Sequence, residues 1–161
     1  MFERFTRAGR QAVVRALDVA RRLGAEQVEP EHLLLALTEG GTDAAARALC
    51  EAGLDARQIE LAIEEDLIAA LDVVGVPASV VASTPVHPRA DPPGVGAAVK
   101  AALERALGAA VRRGDRRLGP EHLLLGLVDP QAVSLRRVLV RLDIEPEWLA
   151  SLVQVEAAAG R

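Results

Sequence analysis

Two Glu-His pairs, Glu31-His32 and Glu121-His122, are the residues best placed to do chemistry. Each stands near the front of the same octet, PEHLLLAL at Pro30–Leu37 and PEHLLLGL at Pro120–Leu127. A carboxylate beside an imidazole could shuttle a proton or, with further ligands, hold a metal. The chain has 3 histidines and 1 cysteine in all, and neither H-E-x-x-H nor a Cys/His ligand spacing occurs. No metal site is therefore expected. No Ser/His/Asp or Cys/His pairing supports a nucleophile, so we expect neither enzymatic activity nor a cofactor. The histidines have a simpler use, in which a ring N–H ties down a neighbouring loop carbonyl. Pro30 and Pro120 suit the first position of a helix, where the missing N–H costs nothing. A glutamate in that first turn is favoured by unpaired N–H groups, by about 0.3–1 kcal/mol. Glu31 and Glu121 alone remain candidates for chemistry.

The elements that must position these pairs follow from a duplication. Shifting the chain by 90 residues aligns Ala8–Leu37 with Ala98–Leu127, and 15 of the 30 positions are identical without a gap. Arg15/Arg105, Gly24/Gly114 and the octets match, and the register continues through Arg47/Arg137 and Leu49/Leu139. Each unit reads as four helices. In the first, Thr6 is a cap, Ala12, Val13, Ala16, Leu17, Ala20 and Leu23 recur at helical spacing, and Gly24 stops the helix. The second helix opens at Pro30 and ends at Gly40-Gly41. Thr42 or Asp43 caps a third that closes at Gly53, and Asp55 caps a fourth. The second unit repeats the plan with helices over about 96–113, from Pro120, over about 133–142 and from Pro146. Val95-Gly96 replaces Phe5-Thr6, so this copy lacks the Thr cap. Between the units runs GVPASVVASTPVHPRADPPG, Gly75–Gly94, whose prolines mark a linker. The expected architecture is all-α, with two tandem four-helix repeats related by a pseudo-twofold axis. Residues 1–73 form the first repeat, 74–95 the linker and 96–157 the second repeat.

Composition narrows the function further. The net charge is −4 and the aromatics are Phe2, Phe5 and Trp148. A nucleic-acid binder would want a basic footprint and stacking platforms, so none is expected. No run of apolar residues is long enough to span a membrane. MFERFTRAGR has no apolar core of a signal peptide, and a single cysteine suits a reducing cytoplasm, the expected location. Cys50 and Trp148 read as core and partly buried packing positions. Arg4, Arg7, Arg10 and Arg15, and Arg112, Arg113, Arg116 and Arg117, form either solvated faces or a patch for acidic partners or phosphate.

The opening MFERFT, the two octets in this order and EGGTDAAARAL at Glu39–Leu49 together resemble the N-terminal domain of Clp/Hsp100 chaperones, of ClpC and ClpB type. The resemblance covers about Met1–Val155. It implies a non-catalytic module that binds protein substrates or adaptors for a Clp unfoldase in quality control. Those chaperones continue into AAA+ ATPase modules. No G-x-x-x-x-G-K-[ST] occurs here, so the expectation is a stand-alone domain that binds without hydrolysing ATP. In ClpC-type domains the resemblance implies that Glu31 and Glu121 hold the guanidinium of phosphoarginine. There a Thr precedes the Glu, where Pro30 and Pro120 offer neither hydroxyl nor N–H. The resemblance also implies a groove beside the first helix, with Phe2, Phe5 and Arg10, that receives adaptors and cyclic-peptide antibiotics. Phe2 and Phe5 serve equally as anchors of the terminus. A free copy could then act as a decoy that sequesters such antibiotics, or as a reader of phosphoarginine-marked proteins.

Overall fold

The computed structural model describes residues 2–83, 85–88 and 90–160; the side chains of Phe2, Val81, Ala82, Val133 and Ser134 lie outside the description. Among the described residues there are nine α-helices: α1 (Arg7–Arg22), α2 (Pro30–Thr38), α3 (Ala44–Glu51), α4 (Ala56–Val73), α5 (Ala78–Ser83), α6 (Ala97–Arg112), α7 (Pro120–Leu127), α8 (Val133–Arg141) and α9 (Pro146–Ala159). Helices α1–α4 and α6–α9 are the two four-helix repeats. Helix α5 lies in the proline-bearing connection and has no counterpart in the second repeat.

Local chemistry sets most of the boundaries. Thr6 accepts a hydrogen bond from the Gly9 N–H at 3.0 Å, Asp43 from Ala46 at 2.9 Å and Asp55 from Gln58 at 2.8 Å. Each satisfies an N–H that the first turn leaves unpaired. Gly24 and Gly114, aligned by the duplication, both adopt positive φ, +69° and +72°, just beyond α1 and α6. The apolar faces of both repeats then merge into one core. Its largest fully buried side chains include Leu33, Leu34, Leu35 and Leu37 from α2 and Leu123, Leu124 and Leu127 from α7. The octets are thus the two central helices, which pack on each other as well as on α1 and α6.

The repeats are tied by backbone as well as by side chains. The strand β1 (Gln27–Val28) runs just before α2, and β2 (Gly94–Val95) just before α6; they pair in parallel. Ninety residues away by symmetry, Phe5 before α1 bridges Leu118 before α7. The Gly96 N–H donates to the Val28 carbonyl at 3.0 Å, and its counterpart, the Thr6 N–H, donates to the Leu118 carbonyl at 2.9 Å. Each repeat's entry segment is therefore hydrogen-bonded to the other repeat.

Two packing expectations are corrected. Cys50 is exposed, not core. Helix α3 points Ala45, Ala48 and Leu49 inward, and one further residue turns the chain by about 100°, carrying Cys50 to the outside. Trp148 is 49% exposed; on α9 the buried stripe is Pro146, Leu149, Val153 and Ala157, and Trp148 falls beside it.

The missing cap of the second repeat has a steric cause. A Cβ at Gly96 would stand 2.8 Å from the Val28 carbonyl oxygen and 2.5 Å from Glu29 Oε1. A Thr that looks like a restored cap would thus press on the strand pair. We predict that Gly96→Thr lowers unfolding stability by about 1–3 kcal/mol, the usual cost of overpacking. A cap installed without a clash would instead raise it by about 1 kcal/mol. Urea unfolding followed by circular dichroism distinguishes the two signs.

Candidate functional site

The duplication builds the Glu sites twice. Each octet begins with Pro at the first helical position, which places the glutamate in the first turn and the histidine one residue on. The histidine side chains turn inward: His32 is 6% and His122 1% exposed. His32 Nδ1 accepts the Glu29 N–H at 2.9 Å, and His122 Nδ1 accepts the Gly119 N–H at 3.0 Å. The imidazoles therefore tie the residue before the helix, but in the sense opposite to the expected one: the ring accepts from an N–H rather than donating to a carbonyl. An N–H at a helix start has no partner within the helix, so a buried acceptor there is worth having. With Nδ1 accepting, the ring proton sits on Nε2. In His122 this N–H reaches Asp115 Oδ2 at 3.0 Å, and Asp115 also pairs with Arg113 at 3.1 Å. Glu121 Oε1 lies 3.2 Å from His122 Nδ1, but that nitrogen has no proton to offer, so the contact is not an ion pair.

The glutamates meet residues of both repeats. Glu31 is half-buried, and its surroundings include Glu29, Asp66 of α4 and Arg137 of α8. Burial raises its pKa above the ordinary carboxylate value. A backbone hydrogen bond lowers it, Glu29 and Asp66 raise it, and Arg137 lowers it. Asp66 is itself held by Arg141 at 3.2 Å and Arg137 at 3.5 Å, across the repeat boundary. The symmetry-related arrangement is Arg47 of α3 with Glu156 of α9 at 2.6 Å; Arg47 also donates to the Glu156 carbonyl at 3.0 Å and to the Thr42 carbonyl. Glu121, also half-buried, opens on a cleft of about 380 Å³ that Asp43, Arg47, Arg113 and Asp115 share. No three His, Cys, Asp or Glu residues cluster to hold a metal ion among the described residues.

The other candidate residues separate. Phe5 is 3% exposed and belongs to the core, so it anchors the N-terminal segment. Arg10 is exposed on α1, one turn from exposed Val14. The Phe2 side chain lies outside the described residues. Pro30 and Pro120 are buried at their helix starts. Arg15, read with the basic residues, is structural: its Nε donates to the Ala36 carbonyl at 3.1 Å, as Arg105 does to Gly126 at 3.0 Å. Sequence reasoning did not single out the cross-repeat pairs Arg137–Asp66 and Arg47–Glu156. Their signal was present: Arg47 aligns with Arg137, and carboxylates stand at both 66 and 156.

The duplicated helical fold and its sequence together define the class. The chain matches the family model described as the Clp repeat (R) N-terminal domain over residues 4–90 and 95–160, and belongs to that family. Its relatives include the chloroplastic chaperone protein ClpC1 of Arabidopsis thaliana, 34% identical over 154 residues and 95% of this chain. The chloroplastic ClpA homolog of Brassica napus, an ATP-binding subunit of ATP-dependent Clp protease, is 34% identical over the same share. The chain spans only about 15% of the length of these relatives. The N-terminal domain of Arabidopsis thaliana ClpD shares the fold, with a TM-score of 0.69 at 22% identity over 96% of this chain and 98% of that one. So does a ClpV N-domain solved with a VipB peptide, with a TM-score of 0.58 at 14% identity over 95% and 89%. No helix of the described residues is long and apolar enough to cross a membrane.

Burial pushes the His32 pKa down to about 4 from 6.5. The unfolded chain then binds more protons than the folded one between these values. Its contribution is complete above about pH 6.5 and is lost as pH falls towards 4, on the order of 3 kcal/mol in total. His32→Asn offers an oxygen acceptor without a titrating ring. We predict that urea titrations across this range show a shallower loss for the variant; parallel slopes would place the pH dependence elsewhere.

Proposed function

We propose that this chain is a non-catalytic binding module that recognises protein substrates or adaptors in Clp chaperone–protease quality control. The carrying observation is the family match across both repeats, at 34% identity to ClpC1 over 95% of the chain. The energetics of Glu31 support a binding role. Its carboxylate is held where burial disfavours the charged form, which a purely structural position in the first helical turn does not require. A half-buried carboxylate with a perturbed pKa beside charged groups of both repeats is a candidate for a recognition site. Added to a Clp unfoldase, its protease and a labelled substrate, the chain should change the degradation rate or co-purify with the unfoldase or substrate. Neither effect under any order of addition would contradict the reading.

The same observation favours a second, narrower reading, that of a phosphoarginine reader. A guanidinium brought to Glu31 would supply the positive charge and paired N–H donors that compensate its desolvation. Pro30 and Pro120 leave the phosphate half without a hydroxyl or N–H at that position. On this reading, free phosphoarginine shifts amide resonances around Glu31 and Glu121, and Glu31→Gln abolishes the first set.

The same substitution carries a stability prediction of opposite sign. Because burial raises the Glu31 pKa, the folded state loses stability as pH rises through it. Glu31→Gln should therefore unfold at higher urea than the parent at pH 7, and lose that advantage below the ordinary carboxylate pKa. A variant less stable at pH 7 would show that the charge is structurally required.

A further inference from the structure

Leu118, bridged to Phe5, borders a shallow recess of about 220 Å³ that shares only Asp115 with the Glu121 cleft. Arg4, Arg116 and Arg117 stand around it, all exposed, over a floor formed by Leu107, Ala110 and Val111. Val111 is 64% exposed. Among the described residues none of these three guanidinium groups makes an ion pair. Asp115 also borders the recess, but its carboxylate is engaged by Arg113 at 3.1 Å and His122 at 3.0 Å. The local field is therefore positive.

The duplication supplies an internal control. The symmetry-related pairing of Val28 with Val95 is built on the same backbone plan. There the positions of Arg4, Arg116 and Arg117 are Gly94, Glu26 and Gln27, and that of Val111 is Arg21. The fold forms this junction without an arginine at any of the three places. Clustering three like charges works against the compact state, so the fold does not account for them.

We propose that this recess docks an acidic segment of a protein partner, its carboxylates on Arg4, Arg116 and Arg117 and an apolar side chain on Val111 and Leu107. The inference rests on the binding-module reading and adds the surface and the partner's chemistry. Guanidinium groups pair with carboxylates through parallel N–H donors, and an apolar floor between them suits a peptide rather than a free ion. A compact phosphate is less suited. Helix α6 ends beside the recess at Arg112, so its free N–H groups, the cradle a phosphate favours, lie at its far end. Nucleic acid would want aromatic platforms, and the lining residues include none.

The test uses the full chain and a fluorescein-labelled peptide, the triplet Asp-Glu-Leu repeated three times, followed by anisotropy. The expected results are saturable binding, weakening as salt rises to about 0.15 M and beyond, no binding of the Asn-Gln-Leu counterpart, and at least about tenfold weaker binding by the Arg4→Gln/Arg116→Gln/Arg117→Gln variant, about 1.4 kcal/mol. Circular dichroism and the melting temperature check that the variant folds; should it not, the Arg116→Gln/Arg117→Gln pair is measured instead, with at least about threefold weakening expected. No peptide binding, unchanged affinity in a folded variant, or displacement by inorganic phosphate or a single-stranded oligonucleotide at lower concentration than by unlabelled peptide would each overturn the proposal. Capture of a Clp unfoldase or substrate separates the two readings. Capture by parent and variant alike, with peptide affinity also unchanged, removes the recess and leaves the module; arginine-dependent peptide binding without any capture removes the module reading.

Discussion

The structure depends on a reciprocal backbone tie. The segment entering each repeat's first helix is hydrogen-bonded to the segment entering the other repeat's second helix: Thr6 to Leu118, and Gly96 to Val28. Buried amides left unpaired would cost more than the bonds themselves contribute, so each tie fixes the register of two helices at once. Every composite feature follows. The octet helices are brought against each other, their histidines are buried to hold the N–H just before each helix, and Glu31 and Glu121 are set within reach of arginines from the opposite repeat.

This arrangement explains why a duplicated sequence yields unequal sites. The symmetric frame is shared: Arg15 and Arg105 hold equivalent carbonyls, and Arg47–Glu156 mirrors Arg137–Asp66. The differences lie in what fills it. Asp115 stands where the first repeat has Ala25, giving His122 a carboxylate partner and the Glu121 cleft a more polar wall. Glu29 stands where the second repeat has Gly119. It adds a negative charge beside Glu31, and its carboxylate occupies the space over Gly96 that a capping side chain would need. The surroundings of Glu31 and Glu121 can diverge between the copies without disturbing the core that both share.

Local signals made the fold legible. Gly24 and Gly114 mark stops because only a left-handed residue closes those helices, and Pro30 and Pro120 mark starts because Pro lacks the N–H that a first turn leaves free. Cys50 misled because an eight-residue helix of alanines has little periodicity to read; its neighbours Ala48 and Leu49 are the buried ones. Helix α5 carried no capping signal. The cross-repeat arginines near the glutamates lie far off in sequence, Arg137 being 106 residues after Glu31 and Arg47 being 74 before Glu121, where spacing rules are silent and only their alignment hinted at a shared role. The direction of the histidine bonds was not legible at all, since it depends on where the backbone places one N–H.

The central claim is that the two repeats form one cooperative unit through these ties, so that sites spanning them are preorganised. Native-state hydrogen exchange tests it directly. The amides of Thr6 and Gly96, and those of Leu118 and Gly94, which donate to the Arg4 and Glu26 carbonyls across the same two ties, should exchange only through global unfolding, with the same opening free energy and urea dependence as Leu34 and Leu124 in the octet helices. Exchange of the four tie amides through a low-energy opening, while the octet amides stay protected, would show that the repeats are held by side-chain packing alone.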